Sequence, residues 1–236
     1  MSKRTWFITG VSSGFGHEMA KQLLARGDRV AGTVRDVSAM SGRAGYGDQL
    51  WLAELDLVDT PKIRSVIDRA FAELGRIDVV VSNAGYGLMG AVEEMTDEQV
   101  MHQLDINLLG SIQVVRASLP HLRRQAGGRI LQISSFGGQV AMPGGAMYHA
   151  TKWGIEGFID AVAQEVKPFG IECTLIEPGG ARTEFRSRSA QLPANRIAAY
   201  DASPAINVRK IFEARTMLPP GDPVKMVELM IASVDR

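Results

Sequence analysis

Cysteine is nearly absent from this sequence of 236 residues, in which Cys173 is the single example. One cysteine cannot form a disulfide within the chain, so the sequence predicts a protein of a reducing compartment, and we expect it in the cytoplasm. Cys173 lies in an apolar run, where a small side chain is expected to pack in the core rather than to react.

An excess of charge is also absent, because 26 Lys and Arg residues balance 26 Asp and Glu residues. The sequence therefore has no electrostatic signature of a nucleic-acid partner or an anionic membrane. No stretch approaches the roughly 20 apolar residues that cross a bilayer. The N-terminal run that contains Trp6 is too short for a signal peptide and is followed at once by Gly10. We expect neither nucleic acid nor a membrane as a partner.

Short apolar runs alternate with helical periods through most of the sequence. The run at 79–81 is apolar on consecutive residues, which is typical of a strand buried on both faces of a parallel sheet. The alternation predicts an α/β fold with a doubly wound (Rossmann), mostly parallel sheet and helices on both faces, in a single domain over residues 1–236. We predict strands over residues 4–9, 29–34, 50–56, 78–82, 129–134 and 172–176, and helices over residues 15–26, 60–74, 97–124, 146–168 and 222–234.

Two segments depart from this alternation. Residues 36–47 contain three glycines, so we predict that any helix there is short or frayed. After Pro178 the alternation stops, and residues 184–220 mix polar, apolar and proline residues without a clear period.

A glycine-rich turn follows the first predicted strand and opens the first predicted helix. It reads Thr9-Gly10-Val11-Ser12-Ser13-Gly14-Phe15-Gly16. Glycines there permit a tight turn and let the backbone approach a pyrophosphate, while the N-terminus of the helix supplies N–H donors and a favourable dipole. Such a turn can be purely structural, but its position between an apolar strand and a helix favours a dinucleotide site.

Tyr148 and Lys152 lie four residues apart on a predicted helix, so both point to one face. A free phenol has a pKa of about 10 and is a poor acid–base group at neutral pH, and we expect the nearby ammonium to lower that pKa. A phenol activated in this way can donate a proton to a developing alkoxide. A solvated surface pair is the simpler interpretation. Ser135 favours the catalytic one, because it ends an apolar strand at the sheet edge where open α/β folds bind ligands.

Together these features resemble the short-chain dehydrogenase/reductase family, in the branch with the motif Thr-Gly-x-x-x-Gly-x-Gly. The resemblance extends from about Lys3 to Thr183. It implies a nicotinamide-dependent oxidoreductase, a carbonyl reductase or alcohol dehydrogenase, that interconverts carbonyl compounds and secondary alcohols without a metal. It also implies a catalytic tetrad that consists of Asn107, Ser135, Tyr148 and Lys152.

The same resemblance implies a set of cofactor contacts. Tyr148 and Lys152 are expected to belong both to the catalytic tetrad and to the cofactor contacts, and Lys152 is expected to bind the ribose hydroxyls. The other implied contacts are Gly10, Ser12, Ser13, Gly14, Phe15 and Gly16 at the pyrophosphate, Asp56 and Leu57 at the adenine, Asn83, Ala84 and Gly85 beside the adenosine, and Pro178, Gly179 and Thr183 over the nicotinamide.

The residues after the second predicted strand bear on the choice of nicotinamide. Asp36 lies about 20 residues past Gly16, where an acid that binds the ribose hydroxyls suggests NAD. Val34, however, holds the position at which the resemblance places the ribose acid, and Arg35 follows it with a guanidinium that can pair with a 2′-phosphate. We predict NADP as the cofactor, with NAD as the alternative if Asp36 governs the site.

The resemblance assigns the substrate lid to residues 184–220. Apolar side chains there, with Phe136, Met89 and Met142, predict an uncharged and fairly apolar ketone or secondary alcohol, although the same side chains can serve only to pack the lid. The apolar lid residues are Phe185, Leu192, Ile197, Tyr200 and Ile206. We expect His149 to orient the site or to face solvent rather than to act in catalysis.

The resemblance also implies a homodimer or homotetramer, in which helices 97–124 and 146–168 flank the same face of the sheet and pair across a two-fold axis. Family members follow the last helix with a seventh strand, whereas this sequence ends at Arg236 before one. A nucleotide-sugar epimerase or dehydratase is disfavoured by the glycine spacing. A non-catalytic dinucleotide-sensing module is disfavoured because all four tetrad residues are present.

Overall fold

Parallel strands form the centre of the molecule. In the computed structural model, which describes residues 3–40, 43–214 and 219–235, the strands are β1 (Thr5–Thr9), β2 (Arg29–Val34), β3 (Leu50–Glu54), β4 (Val79–Ser82), β5 (Gly87–Leu88), β6 (Gly128–Ile133), β7 (Ile171–Ile176) and β8 (Ala190–Gln191). Six of them form one parallel sheet in the order β3-β2-β1-β4-β6-β7, and β5 pairs with β8 separately. The strand order reverses between β1 and β4, which is the switch point at which doubly wound sheets bind their ligands.

Seven α-helices are described around this sheet, together with shorter 3-10 and π-helical turns. One apolar cluster lies between the sheet and α2, α4 and α5, and a second lies between the sheet and α1 and α7. The predicted doubly wound fold is therefore confirmed. The helices are α1 (Gly14–Ala25), α2 (Thr60–Leu74), α3 (Asp97–Leu104), α4 (Ser111–Arg124), α5 (Ala146–Val166), α6 (Ile206–Ala214) and α7 (Pro223–Ala232).

Buried positions explain why the strands could be recognised. Val79, Val80 and Val81 are fully buried because β4 is covered on both faces. Cys173 on β7 packs against the first cluster, in agreement with its predicted place in the core, and burial raises the pKa of its thiol to about 11. Among the described residues, no helix has the length and apolar character needed to cross a bilayer.

The predicted helix over residues 97–124 is wrong in one respect, because a π-helical turn (Asp105–Gly110) separates α3 from α4. The physical reason lies at Gly110, which packs against the backbone of Leu57. A Cβ atom at Gly110 would lie 2.8 Å from the Cβ of Leu57 and 2.9 Å from its carbonyl oxygen. The wider π-helical turn directs the side chain of Asn107 into the interior, where it is 1% exposed.

Other predicted boundaries also shift. β3 ends at Glu54 rather than at residue 56, and α5 ends at Val166, before the 3-10 turn that contains Pro168. Residues 184–220, in which the sequence shows no clear period, contain α6. The glycine-rich segment 36–47 holds the 3-10 turns Val37–Ala39 and Arg43–Gln49, while residues 41 and 42 lie outside the described residues.

Two helical glycines should respond to alanine in opposite directions. We expect Gly110→Ala to lower the free energy of unfolding by about 1–3 kcal/mol, because its methyl group would overlap Leu57. Gly157 lies on the exposed side of α5 with no described atom within 4 Å of an added Cβ. Gly157→Ala should therefore stabilise the protein by about 0.5–1 kcal/mol. Urea unfolding of the two variants checks both signs, and a neutral Gly110→Ala would contradict the packing at the π-helical turn.

Candidate active site

The glycine-rich turn between β1 and α1 is held by close backbone contacts. Gly10 has a φ of +76°, which favours glycine, and the backbone N–H groups of Gly10 and Val11 both donate to the carbonyl of Thr33 at 2.9 and 3.0 Å. A Cβ atom at Gly16 would lie 2.2 Å from the carbonyl oxygen of Gly10. α1 can therefore pack this closely on the turn because residue 16 has no side chain.

Asn83 joins the turn to the end of β4. Its Nδ2 donates to the carbonyl oxygens of Thr9 at 2.8 Å and Gly10 at 3.2 Å. The backbone N–H groups of Asn83 and Ala84 donate in turn to the Thr9 hydroxyl at 2.9 and 3.0 Å. The predicted Asn83-Ala84-Gly85 segment and the glycine turn thus form one unit across the switch point.

The start of α1 has the features of a phosphate cradle. Ser13 precedes the helix in an extended conformation, and within the described residues its side chain binds no N–H group of the first turn. Gly14 has a φ of +57°, and no described atom lies within 4 Å of a Cβ added there. The N–H groups of this first turn and the helix dipole are therefore left available to an anion, and the residues present fit the pyrophosphate of a dinucleotide.

The segment after β2 separates the two candidate ribose residues. Arg35 is exposed. The carboxylate of Asp36 accepts hydrogen bonds from the Ser38 hydroxyl at 2.6 Å and the Ser38 backbone N–H at 2.8 Å, and these bonds hold the pKa of Asp36 below its usual value. Asp36 thereby caps the following 3-10 turn. Val34 is 2% exposed within the apolar cluster beside α1.

Asp56, the predicted adenine contact, is exposed two residues beyond β3, where its carboxylate accepts a hydrogen bond from the Val58 backbone N–H at 3.2 Å. Leu57 is buried against Gly110. The structure therefore leaves the Asp56 side chain at the surface and uses Leu57 for packing.

Three residues of the predicted tetrad meet where β6 ends. The Nζ of Lys152 donates to the carbonyl oxygen of Ile133 at 2.9 Å and lies 5.7 Å from the centre of the Tyr148 ring. Burial raises the pKa of the Tyr148 phenol, and a hydrogen bond from the Ser135 hydroxyl opposes this rise. Burial lowers the pKa of Lys152 to about 8, against the opposing charge of Glu156. The pKa of Tyr148 is therefore raised rather than lowered as we expected from Lys152, because desolvation outweighs the hydrogen bond from Ser135.

Asn107 lies apart from these groups. Its Oδ1 accepts a hydrogen bond from the Tyr86 backbone N–H at 2.9 Å, and its Nδ2 donates to the Tyr86 carbonyl at 2.7 Å. The nearest contact with α5 is a 3.4 Å hydrogen bond to the hydroxyl of Thr151, the neighbour of Lys152. Asn107 thus fixes the backbone that follows Gly85, and its catalytic role stays a prediction.

His149 is buried and orients the loop beside Ser135. One ring nitrogen, Nδ1, faces the carbonyl oxygen of Gly137 at 2.8 Å, and the other, Nε2, accepts the Met142 backbone N–H at 3.0 Å. Since Gly137 offers only an acceptor and Met142 only a donor, the ring is neutral with its proton on Nδ1. Of the two expectations for this residue, the structure selects the orienting one.

The segment after β7 passes over the same edge. The carbonyl oxygen of Pro178 accepts the backbone N–H of Phe136 at 3.1 Å, which joins it to the Ser135 turn. Gly179 is exposed with no described atom near an added Cβ, and the Thr183 hydroxyl accepts the N–H of Phe185 at 3.3 Å. The predicted nicotinamide loop therefore lies beside the tyrosine and the serine.

Apolar side chains lie near Tyr148 and in the loop that follows Ser135. The Phe185 ring meets the Tyr148 ring edge-on at 6.1 Å between centres, and Met89 and Phe185 both approach Gly87. Phe136 and Met142 are 38% and 47% exposed in the loop between Ser135 and α5. Phe185 therefore places an aromatic ring against Tyr148, and Phe136 and Met142 present apolar surface in the loop that follows Ser135.

A buried ion pair that we did not foresee fastens the segment after Phe185. Glu94 and Arg209 lie 3.1 Å apart with side chains 4% and 11% exposed. Glu94 also accepts the backbone N–H of Ile197 at 3.1 Å, and Arg209 donates to the carbonyls of Pro193 and Asn195. Burial acts to raise the pKa of Glu94, but the Ile197 N–H and Arg209 outweigh it and leave that pKa below its usual value.

The fold, the glycine turn and the Ser–Tyr–Lys cluster together define a dinucleotide-binding oxidoreductase class, and comparison with known proteins names the family. Residues 4–193 match the family described as short chain dehydrogenase. Oxidoreductase BOA17 of Botryotinia fuckeliana is 38% identical over 192 residues, which are 80% of this chain and 70% of that protein. The chain belongs to the short-chain dehydrogenase family.

Two further similar proteins support membership of this family. A 3-ketodihydrosphingosine reductase of Bacteroides thetaiotaomicron is 36% identical over 185 residues, which are 78% of this chain and 66% of that protein. A solved short-chain dehydrogenase structure from Streptomyces avermitilis is 34% identical with a TM-score of 0.89, and the match covers 100% of this chain and 85% of that one. The chain thus spans about two thirds of the curated relatives' length. The predicted enzyme class, an NAD(P)-dependent oxidoreductase, is the class of this family.

The Glu94–Arg209 pair gives a stability prediction. We expect Arg209→Met to lower the free energy of unfolding by about 3 kcal/mol at pH 7, because the buried Glu94 carboxylate loses its cation. Arg196→Met is the matched control, since Arg196 pairs with Asp201 at the surface and its loss should have little effect. Urea unfolding with the same midpoint for both variants would show that the pair does not hold this segment.

The difference in the free energy of unfolding between the native chain and Arg209→Met should depend on pH, and the sign of this dependence follows from the pKa of Glu94. Because the folded pKa of Glu94 is lowered, its stabilising contribution is fully present above the unfolded pKa of about 4.3 and is lost as the pH falls through the folded value. The stability gap between the native chain and Arg209→Met should therefore narrow below about pH 4.

Proposed function

We propose that this protein transfers a hydride between NADP(H) and a ketone or secondary alcohol, with Tyr148 as the general acid and base. The observation that carries the proposal is the meeting of Ser135, Tyr148 and Lys152 at the end of β6. They lie at the same sheet edge as the glycine turn after β1. The family match supports the class of reaction.

When bound, the nicotinamide supplies the hydride for reduction and accepts it in oxidation. In reduction, the carbonyl oxygen accepts hydrogen bonds from the Ser135 and Tyr148 hydroxyls. As the carbonyl carbon gains the hydride, the Tyr148 hydroxyl gives its proton to that oxygen and yields the alcohol. The Lys152 ammonium then stabilises the phenolate until water returns a proton to it. Oxidation reverses the same steps.

The residues proposed to hold the dinucleotide follow the sheet edge. The first turn of α1 provides N–H groups for the pyrophosphate, and Lys152 provides donors for the ribose hydroxyls. The full set is Gly10, Ser12, Ser13, Gly14, Phe15 and Gly16 at the pyrophosphate, Arg35 at the 2′-phosphate, Asp56 and Leu57 at the adenine, Asn83, Ala84 and Gly85 beside the adenosine, and Pro178, Gly179, Thr183, Tyr148 and Lys152 at the nicotinamide half.

Two features support NADP over NAD. Arg35 is exposed directly after β2, where a guanidinium can pair with a 2′-phosphate. The carboxylate of Asp36 already accepts two hydrogen bonds from Ser38, which engages it in its own turn rather than with a ribose. An NAD-preferring enzyme would need Asp36 to leave this cap.

The border around Tyr148 supports an uncharged, apolar ketone as the substrate. Phe185 lies edge-on to the Tyr148 ring, and Phe136 and Met142 are partly exposed in the loop that follows Ser135. The name of the Bacteroides thetaiotaomicron relative is that of a reductase of a 3-keto compound, which agrees with reduction of a ketone. Residues 184–220 are proposed to form the lid over this substrate.

We also propose a dimer or tetramer, because the helical layer on one face of the sheet exposes large apolar side chains. α4 and α5 cover one face of the sheet, as predicted, and the outward side of this layer exposes Leu109 and Trp153 at 46% and 54%. Apolar side chains of this size are suited to a symmetric helix interface. The predicted cytoplasmic location rests on the single cysteine and stays a prediction.

The first test removes the proton of Tyr148 and keeps its ring. Tyr148→Phe should lower the turnover of ketone reduction by about 100- to 10 000-fold, as expected for a general acid, while NADPH binding measured by fluorescence stays nearly intact because the ring is kept. A panel of alkyl and aryl ketones with NADPH absorbance as the readout identifies the working substrate. Tyr46→Phe, the same change at an exposed tyrosine, is the control. Near-normal turnover in Tyr148→Phe would rule out the assigned role.

The second test concerns the cofactor. The native chain should use NADPH with at least about tenfold higher kcat/KM than NADH, and Arg35→Ala should lose this preference by weakening NADPH alone. Arg64→Ala on the exposed side of α2 is the matched control. Substituting Val34 by Asp is unsuitable because it would place a carboxylate in the apolar cluster. Equal efficiency with both cofactors in the native chain would show that Arg35 does not govern the choice.

A further inference from the structure

Glu156 is a buried acid beside the proposed catalytic groups, and the steps above leave it without a role. It lies on α5 one turn after Lys152, which itself lies one turn after Tyr148. Because residues four apart share a helix face, the three titratable side chains form a single row. Glu156 is 5% exposed. A carboxylate is retained at such a position only when specific partners compensate for its lost hydration.

The partners of Glu156 flank the serine. Its Oε1 accepts a hydrogen bond from the Ser134 hydroxyl, and its Oε2 accepts one from Nε2 of Gln139 at 2.5 Å. Ser134 immediately precedes Ser135, and Gln139 ends the 3-10 turn that follows it. One carboxylate therefore holds both ends of the turn that presents the Ser135 hydroxyl.

The approach of Glu156 to this turn is close enough to require glycine. A Cβ atom at Gly138 would lie 1.8 Å from Oε1 of Glu156. The row on α5 then meets three consecutive residues at the end of β6. Lys152 binds the carbonyl of Ile133, Glu156 binds the hydroxyl of Ser134, and Tyr148 interacts with Ser135. The relative placement of serine and tyrosine thus depends on the contacts in this row.

Glu156 is also the charge that acts on Lys152. The Lys152 ammonium is bound to a neutral carbonyl oxygen, and burial disfavours its charged form while Glu156 favours it. The elements packed against α5 carry other titratable groups, which are Asp97, Glu98 and His102 on α3, Asp105 in the π-helical turn, Arg116, His121, Arg123 and Arg124 on α4, Lys167 in the 3-10 turn after α5, and Glu172 and Cys173 on β7. The charge of Asp105 acts on Tyr86. On α5 itself, His149 is neutral and engaged by Gly137 and Met142.

We propose that Glu156 is a positioning residue for this reaction: its carboxylate clamps the turn that carries Ser135 and supplies the buried countercharge of Lys152. The inference rests on the proposed function, since it assigns Glu156 a part in the same hydride transfer. The clamp and the countercharge can be separated by substitution, because glutamine keeps the shape and one acceptor oxygen but loses the charge, whereas alanine loses both.

The charge is tested with Glu156→Gln. Removing the carboxylate lowers the pKa of Lys152, so the alkaline limb of kcat/KM for ketone reduction should move to lower pH by about one unit. The kcat at pH 7 should fall several-fold, and NADPH binding by fluorescence should change less than about twofold. Glu165→Gln, the same substitution at an exposed position of α5, should leave the pH profile in place.

The clamp is tested without reference to activity. In Glu156→Ala, amide hydrogen exchange over residues 134–139 should accelerate at least about tenfold, whereas Glu156→Gln should retain most of the native protection. If Glu156→Ala fails to fold, Gln139→Ala removes one arm of the clamp from a residue at the edge of the turn and should show the same acceleration on a smaller scale.

The outcomes separate this proposal from the proposed function. The role of Glu156 alone would be overturned by three results together. Activity would depend on Tyr148, the alkaline limb of kcat/KM would be unchanged in Glu156→Gln, and amide hydrogen exchange over residues 134–139 would be unchanged in Glu156→Ala. Near-normal turnover in Tyr148→Phe would overturn the proposed function. Faster amide hydrogen exchange over residues 134–139 in Glu156→Ala would then support only the structural clamp and would contradict the positioning role.

Discussion

Parallel strand pairing is the constraint on which the site depends. The six strands of the central sheet run in one direction, so their carboxyl ends share one edge. At that edge the chain leaves β1 into the glycine turn, leaves β4 at Asn83 and leaves β6 at Ser135. Because the strand order reverses between β1 and β4, the connections there depart to opposite faces and leave a cleft between them. Asn83 bridges that cleft through Thr9 and Gly10.

Burial acts in opposite directions on the two groups at the centre of the site. It favours the neutral phenol of Tyr148 and the neutral amine of Lys152, so it raises one pKa and lowers the other. The two pKa values are close to each other in the free side chains and therefore move apart on burial, so the phenol holds its proton more strongly and the ammonium less strongly than in water. Ser135 and Glu156 work against burial on the two groups, the first by stabilising the phenolate and the second by stabilising the ammonium.

Much of this arrangement could be predicted from the sequence because its signals are local. Fully buried strands such as β4 show as consecutive valines, and the glycine turn and the Tyr148–Lys152 spacing lie within short stretches. The π-helical turn was missed because it depends on contact between Gly110 and Leu57, which are far apart in the chain. α6 and the Glu94–Arg209 pair were missed for the same reason. Glu156 gave no signal of its own, since its partners Ser134 and Gln139 are recognised only when β6 and α5 are packed together.

The distance along the chain between Glu94 and Arg209 has a consequence for the order of folding. The two residues are separated by 115 positions, and β5 likewise waits for β8 about a hundred residues later. Closing such long loops is entropically costly until the intervening sheet is formed. Helices such as α2 and α4 can form from local contacts, whereas residues 184–214 dock on β5 and Glu94 across a long stretch of intervening chain. The segment that brings Phe185 to Tyr148 is therefore expected to be among the last parts of the molecule to assemble, after the glycine turn and Asn83 have joined across the switch point.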